Sequence, residues 1–280
     1  MLKLARSNCL DVCMRIGVFD SGLGGLAVLK EILKTLPQYD FIYLGDNARV
    51  PYGGRSQELI YQYTSSAIDF LFDQGCLLII LACNVATASA LRKLQKEYLP
   101  QKFPNRRILG VIRPAVEEAS IGAKRIGILG TYTTIESQSF VRELKKISPN
   151  IHIFQQACPL LVPIIEEGET DWEGLDSILD KYLKTILRHD IDTLILACTH
   201  YELIEKKIRE RVSGKIKIIS EGKVVKEKLK TYLIRHPRIE KKLEKKGTSI
   251  YYVTDLNDRY QQLAGRILSL PKVSLRLAHL

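Results

Sequence analysis

Two closely similar stretches of the sequence decide the fold: Leu78-Ile79-Ile80-Leu81-Ala82-Cys83-Asn84 and Leu194-Ile195-Leu196-Ala197-Cys198-Thr199. Each is a short apolar run of branched side chains, which is typical of a buried strand in a parallel sheet. Each run ends in a cysteine that a polar residue follows. The repetition predicts two related halves, each with a cysteine at the carboxyl end of an equivalent strand.

A second pair of similar strings precedes the first pair at comparable separations: Ile16-Gly17-Val18-Phe19 and Ile126-Gly127-Ile128-Leu129. Short apolar runs alternate with amphipathic stretches along the chain, which predicts parallel α/β sheets. The predicted strands are 15–19, 40–44, 77–82, 108–111, 125–129, 151–155, 193–197 and 216–219. The predicted helices are 26–35, 57–73, 86–97, 135–146, 172–188 and 202–211.

The repeat predicts an α/β fold of two pseudo-symmetric domains, each a mainly parallel sheet flanked by helices. We expect the first domain to comprise residues 14–112 and 222–280, the second 113–221, and an N-terminal extension 1–13. Open α/β sheets bind ligands at the carboxyl ends of their strands. The active site is therefore expected in the cleft between the two domains.

The composition excludes several classes of protein. Of 280 residues, 46% are hydrophobic and 26% charged, as in globular proteins, and no apolar run reaches the roughly 18–20 residues of a membrane span. Residues 1–13 lack the continuous apolar stretch of a signal peptide, so a cytoplasmic location is expected. Much of the net charge of +11 lies in 206–246, where lysines and glutamates interleave at helical spacing. Such a pattern is typical of a solvated surface, and we expect neither nucleic acid nor a membrane as partner.

Six cysteines are too few for a disulfide scaffold, and a cytoplasmic setting would keep them reduced. Among them, Cys83 and Cys198 suit racemisation, which needs a base on one face of a carbon atom and an acid on the other. A helix N-terminus after each strand would favour the thiolate. The run Cys198-Thr199-His200 alone fits core packing with a helix cap equally well. Its second copy in register favours a function.

The glycine-rich segment after the first strand supports a different class of enzyme. Gly22, Gly24 and Ala27 fit the dinucleotide-binding pattern, and Asp46 ends the next strand where a ribose-binding acid belongs. A nicotinamide- or flavin-dependent oxidoreductase is thus the rival hypothesis. Against it, Asp20-Ser21 separates the strand from the glycines, and the two cysteines would have no role.

Two further segments carry polar groups that could hold a carboxylate. The loop 46–56 is rich in turn formers and donors and is either an ordinary connection or a carboxylate-binding loop. Thr131, Thr133 and Thr134 open a predicted helix, where one threonine would cap the helix and the group could bind an anion.

Taken in order, these strings resemble glutamate racemases of the aspartate/glutamate racemase superfamily. The resemblance spans roughly residues 16–201, far more than any one motif. Its motifs are Phe19-Asp20-Ser21-Gly22-Leu23-Gly24-Gly25, Leu44-Gly45-Asp46 with Arg49 and Pro51-Tyr52-Gly53, Ala82-Cys83-Asn84 with Ala86-Thr87-Ala88, Gly110-Val111-Ile112 with Pro114-Ala115, Gly130-Thr131 with Thr134, Cys158-Pro159-Leu160 with Val162-Pro163 and Glu166, and Cys198-Thr199-His200-Tyr201.

The resemblance implies that Cys83 and Cys198 are the catalytic acid/base pair, with Cys83 acting on the D-enantiomer and Cys198 on the L-enantiomer. Asp20 and His200 match residues that assist the thiols, and Glu166 matches a further acid of the site. Substrate-binding positions are matched by Ser21, Pro51, Tyr52, Gly53, Asn84, Thr131, Thr134 and Thr199.

The resemblance also implies that glutamate is the substrate, that neither pyridoxal phosphate nor a metal is needed, and that the product supplies D-glutamate for peptidoglycan. A homodimer is compatible with the sequence, which does not fix the oligomeric state. Two positions depart from the family pattern. Val85 replaces a usual threonine and removes a hydroxyl donor, and Glu202 replaces a usual proline. A third class follows from Val85: a protein that keeps the fold and binds an amino acid without catalysis.

Overall fold

The structure, a computed structural model, describes residues 14–280. The predicted extension 1–13 lies outside the described residues. Within them the strands are β1 (Arg15–Asp20), β2 (Phe41–Gly45), β3 (Cys76–Leu81), β4 (Arg107–Gly110), β5 (Arg125–Gly130), β6 (His152–Ala157), β7 (Thr193–Ala197), β8 (Lys217–Ile219), β9 (Ser249–Val253) and β10 (Leu275–Leu277).

The strands form two sheets in which every pairing is parallel. One sheet has the order β10-β9-β2-β1-β3-β4 and the other β6-β5-β7-β8. The order β2-β1-β3-β4 is therefore repeated as β6-β5-β7-β8, and the two cysteine-bearing strings, β3 and β7, hold equivalent places. This confirms the predicted α/β fold of two related parallel sheets.

All eight predicted strands are present, whereas β9 and β10 were not predicted. Both extend the first sheet at one edge, where β9 pairs with β2. Only two of the five residues of β9 are fully buried, whereas β2 and β3 are buried along their whole length. The division of the chain into domains at residues 112 and 222 stays a prediction.

Helices cover both sheets. Their bounds are α1 (Gly24–Thr35), α2 (Gln57–Asp73), α3 (Asn84–Ser89), α4 (Leu91–Lys93), α5 (Leu99–Lys102), α6 (Ile112–Ala119), α7 (Tyr132–Glu136), α8 (Ser139–Ile147), α9 (Leu161–Glu166), α10 (Glu173–Leu187), α11 (Glu205–Arg211), α12 (Glu221–Arg235), α13 (Pro237–Glu240) and α14 (Asp258–Leu268). Tyr52–Gly54 and Thr199–Ile204 are 3-10 helices, and Leu94–Tyr98 is a π-helical turn between α4 and α5.

Three predicted helices are interrupted. The helix predicted at 86–97 begins earlier, at Asn84, and is divided among α3, α4 and the π-helical turn. The helix predicted at 135–146 breaks at Gln138, which has a left-handed φ of 53°, and the Ser137 hydroxyl accepts a hydrogen bond from the Ser139 amide there. The helix predicted at 202–211 starts as the 3-10 helix Thr199–Ile204.

Apolar side chains fill both faces of each sheet and fix the strand ends from which the site is built. β3 and β7 are buried along their whole length. The long helix α12 packs against α1 and α6, so it lies at the seam between the two halves. No helix within residues 14–280 is long and apolar enough to cross a membrane.

Candidate active site

The carboxyl ends of the central strands bring polar side chains from both sheets into one buried cluster. Asp20 ends β1, Cys83 follows β3 and Cys198 follows β7. The Thr199 hydroxyl, from the second half, donates a hydrogen bond to Asp20 Oδ1 over 3.2 Å. Glu166, also from the second half, accepts one from the Leu23 amide over 2.7 Å. These contacts join the second half to the first beside Cys198, and the facing of both cysteines across one cleft stays a prediction.

Glycines at the start of α1 permit this close approach. A methyl group on Gly24 would lie 2.5 Å from the His200 amide nitrogen and 2.7 Å from the Thr199 carbonyl carbon. A methyl group on Gly22 would collide with the Glu166 carboxylate. These glycines thus face protein groups of the other half. A pyrophosphate at this turn would need the space that Glu166 and Thr199 occupy, which argues against the dinucleotide hypothesis.

Cys83 is the N-cap residue of α3 and is only 4% exposed. Its Sγ lies 3.5 Å from the Ser21 hydroxyl oxygen. Burial, with a further contribution from the negative charge of Asp20, raises the pKa of the Cys83 thiol to about 12, although the Ala86 amide and Ser21 act in the opposite direction. The predicted helix N-terminus is present and its Ala86 amide acts to lower the pKa of Cys83, but the expected net stabilisation of the thiolate is wrong. Burial outweighs the single turn of amide donors, so the protonated thiol of Cys83 is favoured over its thiolate.

Cys198 has a different environment. It caps the 3-10 helix Thr199–Ile204, and its Sγ lies 3.7 Å from Nδ1 of His200. Nε2 of His200 forms a short hydrogen bond with the Glu166 carboxylate. Burial alone would lower the pKa of His200, but the charge of Glu166 and the contact with Cys198 hold it well above its usual range. The side chains of Cys198, His200 and Glu166 are thus linked in a row, in which a cationic imidazole lies beside the Cys198 sulfur.

Asp20 interacts electrostatically with both His200 and Cys83. Its Oδ2 accepts a hydrogen bond from the Gly22 amide over 3.0 Å, and its side chain is fully buried. Burial raises the pKa of Asp20 to about 6, while His200 and the Gly22 and Gly25 amides limit the rise. The ionised carboxylate is therefore held in the folded protein at a cost.

Because the buried, ionised Asp20 carboxylate destabilises the fold, Asp20→Asn should change the stability of the protein. The pKa of Asp20 is higher in the fold than its ordinary value, so stability is lost as the pH rises from about 4 through 6. We expect the variant to melt at the same temperature as the wild type near pH 4 and about 5 °C higher above pH 7. Melting curves between pH 4 and 8 measure this, with Asp171→Asn on the exposed surface as control. An Asp20→Asn difference that does not change with pH would contradict the argument.

The predicted substrate loop is positioned next to the second half. The Thr133 hydroxyl donates a hydrogen bond to the Gly53 carbonyl over 3.0 Å, and a methyl group on Gly53 would lie 2.7 Å from Thr131 Cβ. The Tyr52 hydroxyl donates to the buried Asp46 carboxylate over 2.5 Å. The Tyr52 side chain therefore points into the core, and only its backbone remains available to a ligand. Pro51 is exposed.

Thr131 has the capping role that the sequence predicts for one of these threonines, and anion binding by the group stays a prediction. It is the N-cap residue of α7 and accepts a hydrogen bond from the Thr134 amide over 3.4 Å. Its hydroxyl also lies 3.1 Å from that of Thr134, so two buried hydroxyls stand together at the edge of the site.

Two residues of the site were not found from the sequence. The Tyr43 hydroxyl donates to the Gly22 carbonyl over 2.5 Å, which holds the glycine-rich turn. Glu221 accepts a hydrogen bond from the Asn84 amide nitrogen over 2.7 Å. An acid in the first turn of a helix is common for reasons of the helix dipole alone, so nothing in the sequence marked Glu221. No cluster of three or more metal-ligating side chains occurs within residues 14–280.

Known proteins resemble the chain over most of its length. The sequence profile of the Asp/Glu/Hydantoin racemase family matches residues 16–227. The glutamate racemase of Aquifex aeolicus is 39% identical over 257 residues, covering 91% of this chain and 94% of that protein. The glutamate racemase of Geobacter metallireducens is 36% identical over 255 residues, covering 90% and 92%.

Solved structures agree. The crystal structure of glutamate racemase from Francisella tularensis in complex with D-glutamate has a TM-score of 0.84 and 30% identity, with 96% of this chain and 98% of that chain covered. The glutamate racemase from Aquifex pyrophilus has a TM-score of 0.77 and 37% identity, with 95% and 98% covered. Given the profile match, the extent of these alignments and the shared fold, the chain belongs to the Asp/Glu/Hydantoin racemase family and is a racemase.

Proposed function

We propose that this racemase interconverts L- and D-glutamate without a cofactor, with Cys83 and Cys198 as the two acid/base groups. The observation that carries the proposal is the position of Asp20, which accepts a hydrogen bond from Thr199 beside Cys198 and whose charge acts on Cys83. Both thiols therefore border one buried polar cluster. The relatives named above, which carry the name glutamate racemase, support glutamate as the substrate.

In the proposed reaction from L- to D-glutamate, the Cys198 thiolate removes the α-proton and the Cys83 thiol donates a proton to the opposite face. The cationic His200 beside Cys198 would stabilise the thiolate, and the raised pKa of Cys83 keeps its proton in place. The reverse reaction exchanges the two roles, so that one thiol is protonated at any time. Glu166 would hold the imidazole of His200 in orientation.

Polar groups around the cluster would bind the substrate's charged groups. We assign this role to hydroxyls, amides and backbone groups at the edges of both sheets. They are Ser21, Pro51, Tyr52, Gly53, Asn84, Thr131, Thr134 and Thr199. Such an enzyme would supply D-glutamate for peptidoglycan in the cytoplasm, where thiols stay reduced. Its partner is then a small molecule, and the proposed assembly is a homodimer.

An assay on cofactor-free protein tests the proposal. Purified enzyme, treated with hydroxylamine to remove any pyridoxal phosphate and desalted, should form D-glutamate from L-glutamate, as followed by chiral chromatography. Aspartate serves as the control substrate and should react much more slowly. The proposal is wrong if no D-glutamate forms.

The two other hypotheses have their own readouts. An oxidoreductase would show a shift in melting temperature with NAD(P)H or flavin, and we expect none. A silent binding protein would bind glutamate in calorimetry without exchanging the α-proton with solvent. Val85 is the residue that motivates this second control, since it is buried among apolar side chains and offers no hydroxyl to a ligand.

A further inference from the structure

A buried carboxyl group that no motif explains lies directly behind the predicted substrate-binding residue Asn84. Glu221 is the first residue of α12 and is 0% exposed; Asn84 is the first residue of α3, follows Cys83 directly and is 2% exposed. Nδ2 of Asn84 donates a hydrogen bond to Oε2 of Glu221 over 2.7 Å. A residue at the seam between the halves is thus joined to the neighbour of a predicted catalytic thiol.

The other polar atoms of these two side chains have no partner. Oδ1 of Asn84 and Oε1 of Glu221 are both buried, and neither forms a hydrogen bond within residues 14–280. Both atoms are acceptors when Glu221 is ionised, and unsatisfied buried acceptors are costly. A single proton on Oε1 of Glu221 would supply the missing donor for Oδ1 of Asn84 and satisfy both atoms together.

The charges around Glu221 favour the protonated form of its carboxyl group. No lysine, arginine or histidine in the part of the chain that the structure describes forms an ion pair with it. Burial raises the pKa of Glu221 well above its usual range, and the acids Glu202 and Asp20 raise it further, against the hydrogen bond from Asn84. Glu202 itself is occupied by the Gly222 amide, which donates to its carboxylate over 2.5 Å.

We propose that Glu221 is a positioning residue that carries a neutral carboxylic acid and pairs with the Asn84 amide through two hydrogen bonds. The acid accepts from Nδ2 and donates to Oδ1, so the plane and the orientation of the amide are both fixed. The second N–H of Asn84 is then free to point at a substrate carboxylate. This role in substrate binding rests on the proposed function.

An ionised Glu221 would behave differently. It would hold Asn84 by one bond only, leave the Asn84 carbonyl without a donor, and add negative charge near Asp20 and a substrate with two carboxylates. Glutamine at position 221 reproduces the neutral acid, because its amide offers one acceptor and one donor at similar positions. Methionine has a similar length and offers neither strong group.

These two substitutions distinguish a neutral Glu221 from an ionised one. We expect Glu221→Gln to keep kcat/KM within about threefold of the wild type, whereas Glu221→Met loses about tenfold, mainly through a higher KM. Asn84→Ala should lower kcat/KM by a similar factor, and adding Glu221→Met to it should cost little more, because the two residues act as one unit. Equal losses in Glu221→Gln and Glu221→Met would overturn the proposal.

A second measurement does not depend on activity or on the methionine variant. The infrared difference spectrum of wild type minus Glu221→Gln at pH 7 should show the carbonyl stretch of a protonated carboxylic acid that shifts in heavy water. A difference spectrum with only carboxylate bands would overturn the neutral acid even in an active enzyme. If the wild type lacks racemase activity, the proposed function fails, while the spectrum still decides the protonation of Glu221.

Discussion

Replacing Cys83 or Cys198 by alanine should abolish racemisation of glutamate in both directions and leave the fold intact. Each variant keeps one thiol, and one group cannot both remove a proton from one face and deliver a proton to the other. We expect kcat to fall by about 10³-fold or more, in line with the loss of a general acid or base. Chiral chromatography of the product from each enantiomer measures the loss.

The control for this pair is Cys76→Ala, since Cys76 is also a buried cysteine but lies in the core at the start of β3. It should keep activity within about threefold, because only a small apolar contact is removed. Wild-type rates in either the Cys83→Ala or the Cys198→Ala variant would contradict the two-base assignment.

The two cysteine variants should differ in isotope exchange. Because free L- and D-glutamate have equal free energies, kcat/KM must be the same in both directions and cannot show which thiol acts on which enantiomer. Exchange of the α-proton with solvent can. We expect Cys198→Ala to exchange only D-glutamate and Cys83→Ala only L-glutamate, and the opposite pattern would reverse the assignment.

Gly24→Ala should also impair the enzyme strongly, although it changes no catalytic side chain. The added methyl group would lie 2.5 Å from the His200 amide nitrogen and 2.7 Å from the Thr199 carbonyl carbon, both backbone atoms that cannot rotate away. The second half would have to move relative to the first, which displaces Cys198 from Asp20 and Cys83. A displacement of about 1 Å at an active site can cost about a hundredfold, and we expect kcat/KM to fall by about that factor.

Gly54→Ala is the matched control, since a methyl group there meets no atom within 4 Å. It should leave kcat/KM unchanged. Overpacking at Gly24 should also lower the free energy of unfolding by about 1–3 kcal/mol, which urea titration measures. Full activity in Gly24→Ala would show that the contact between the halves does not set the geometry of the site.

Much of this arrangement could be predicted because the informative signals are local. The apolar strings that form β3 and β7 carry their cysteines within two residues of the strand end, and strand position fixes where the thiols lie. The repeat also predicts that the two cysteines follow equivalent strands, as they do after β3 and β7. The glycine-rich turn was the ambiguous case, since its spacing alone fits two functions and only the neighbours of Gly22 and Gly24 distinguish them.

What the sequence did not predict depends on contacts between distant segments. The pKa of Cys83 is governed by burial and by Asp20, and neither can be read from the residues around the thiol. Glu221 lies 137 positions from Asn84, and a glutamate at the start of a helix is unremarkable. Strand β9 pairs with β2 across about two hundred residues, and only two of its five residues are fully buried.

The most direct test of two-base racemisation is the labelling of glutamate in heavy water at early times. With either enantiomer as substrate, we predict that the product carries deuterium at the α-carbon from the first turnovers while the remaining substrate carries none. The thiol on the opposite face of the α-carbon has exchanged with heavy water and donates a deuteron, so the product is labelled. The remaining substrate has not received that deuteron and stays unlabelled. Product that keeps the original hydrogen, or substrate that is labelled before it is converted, would contradict the assignment of Cys83 and Cys198 to opposite faces.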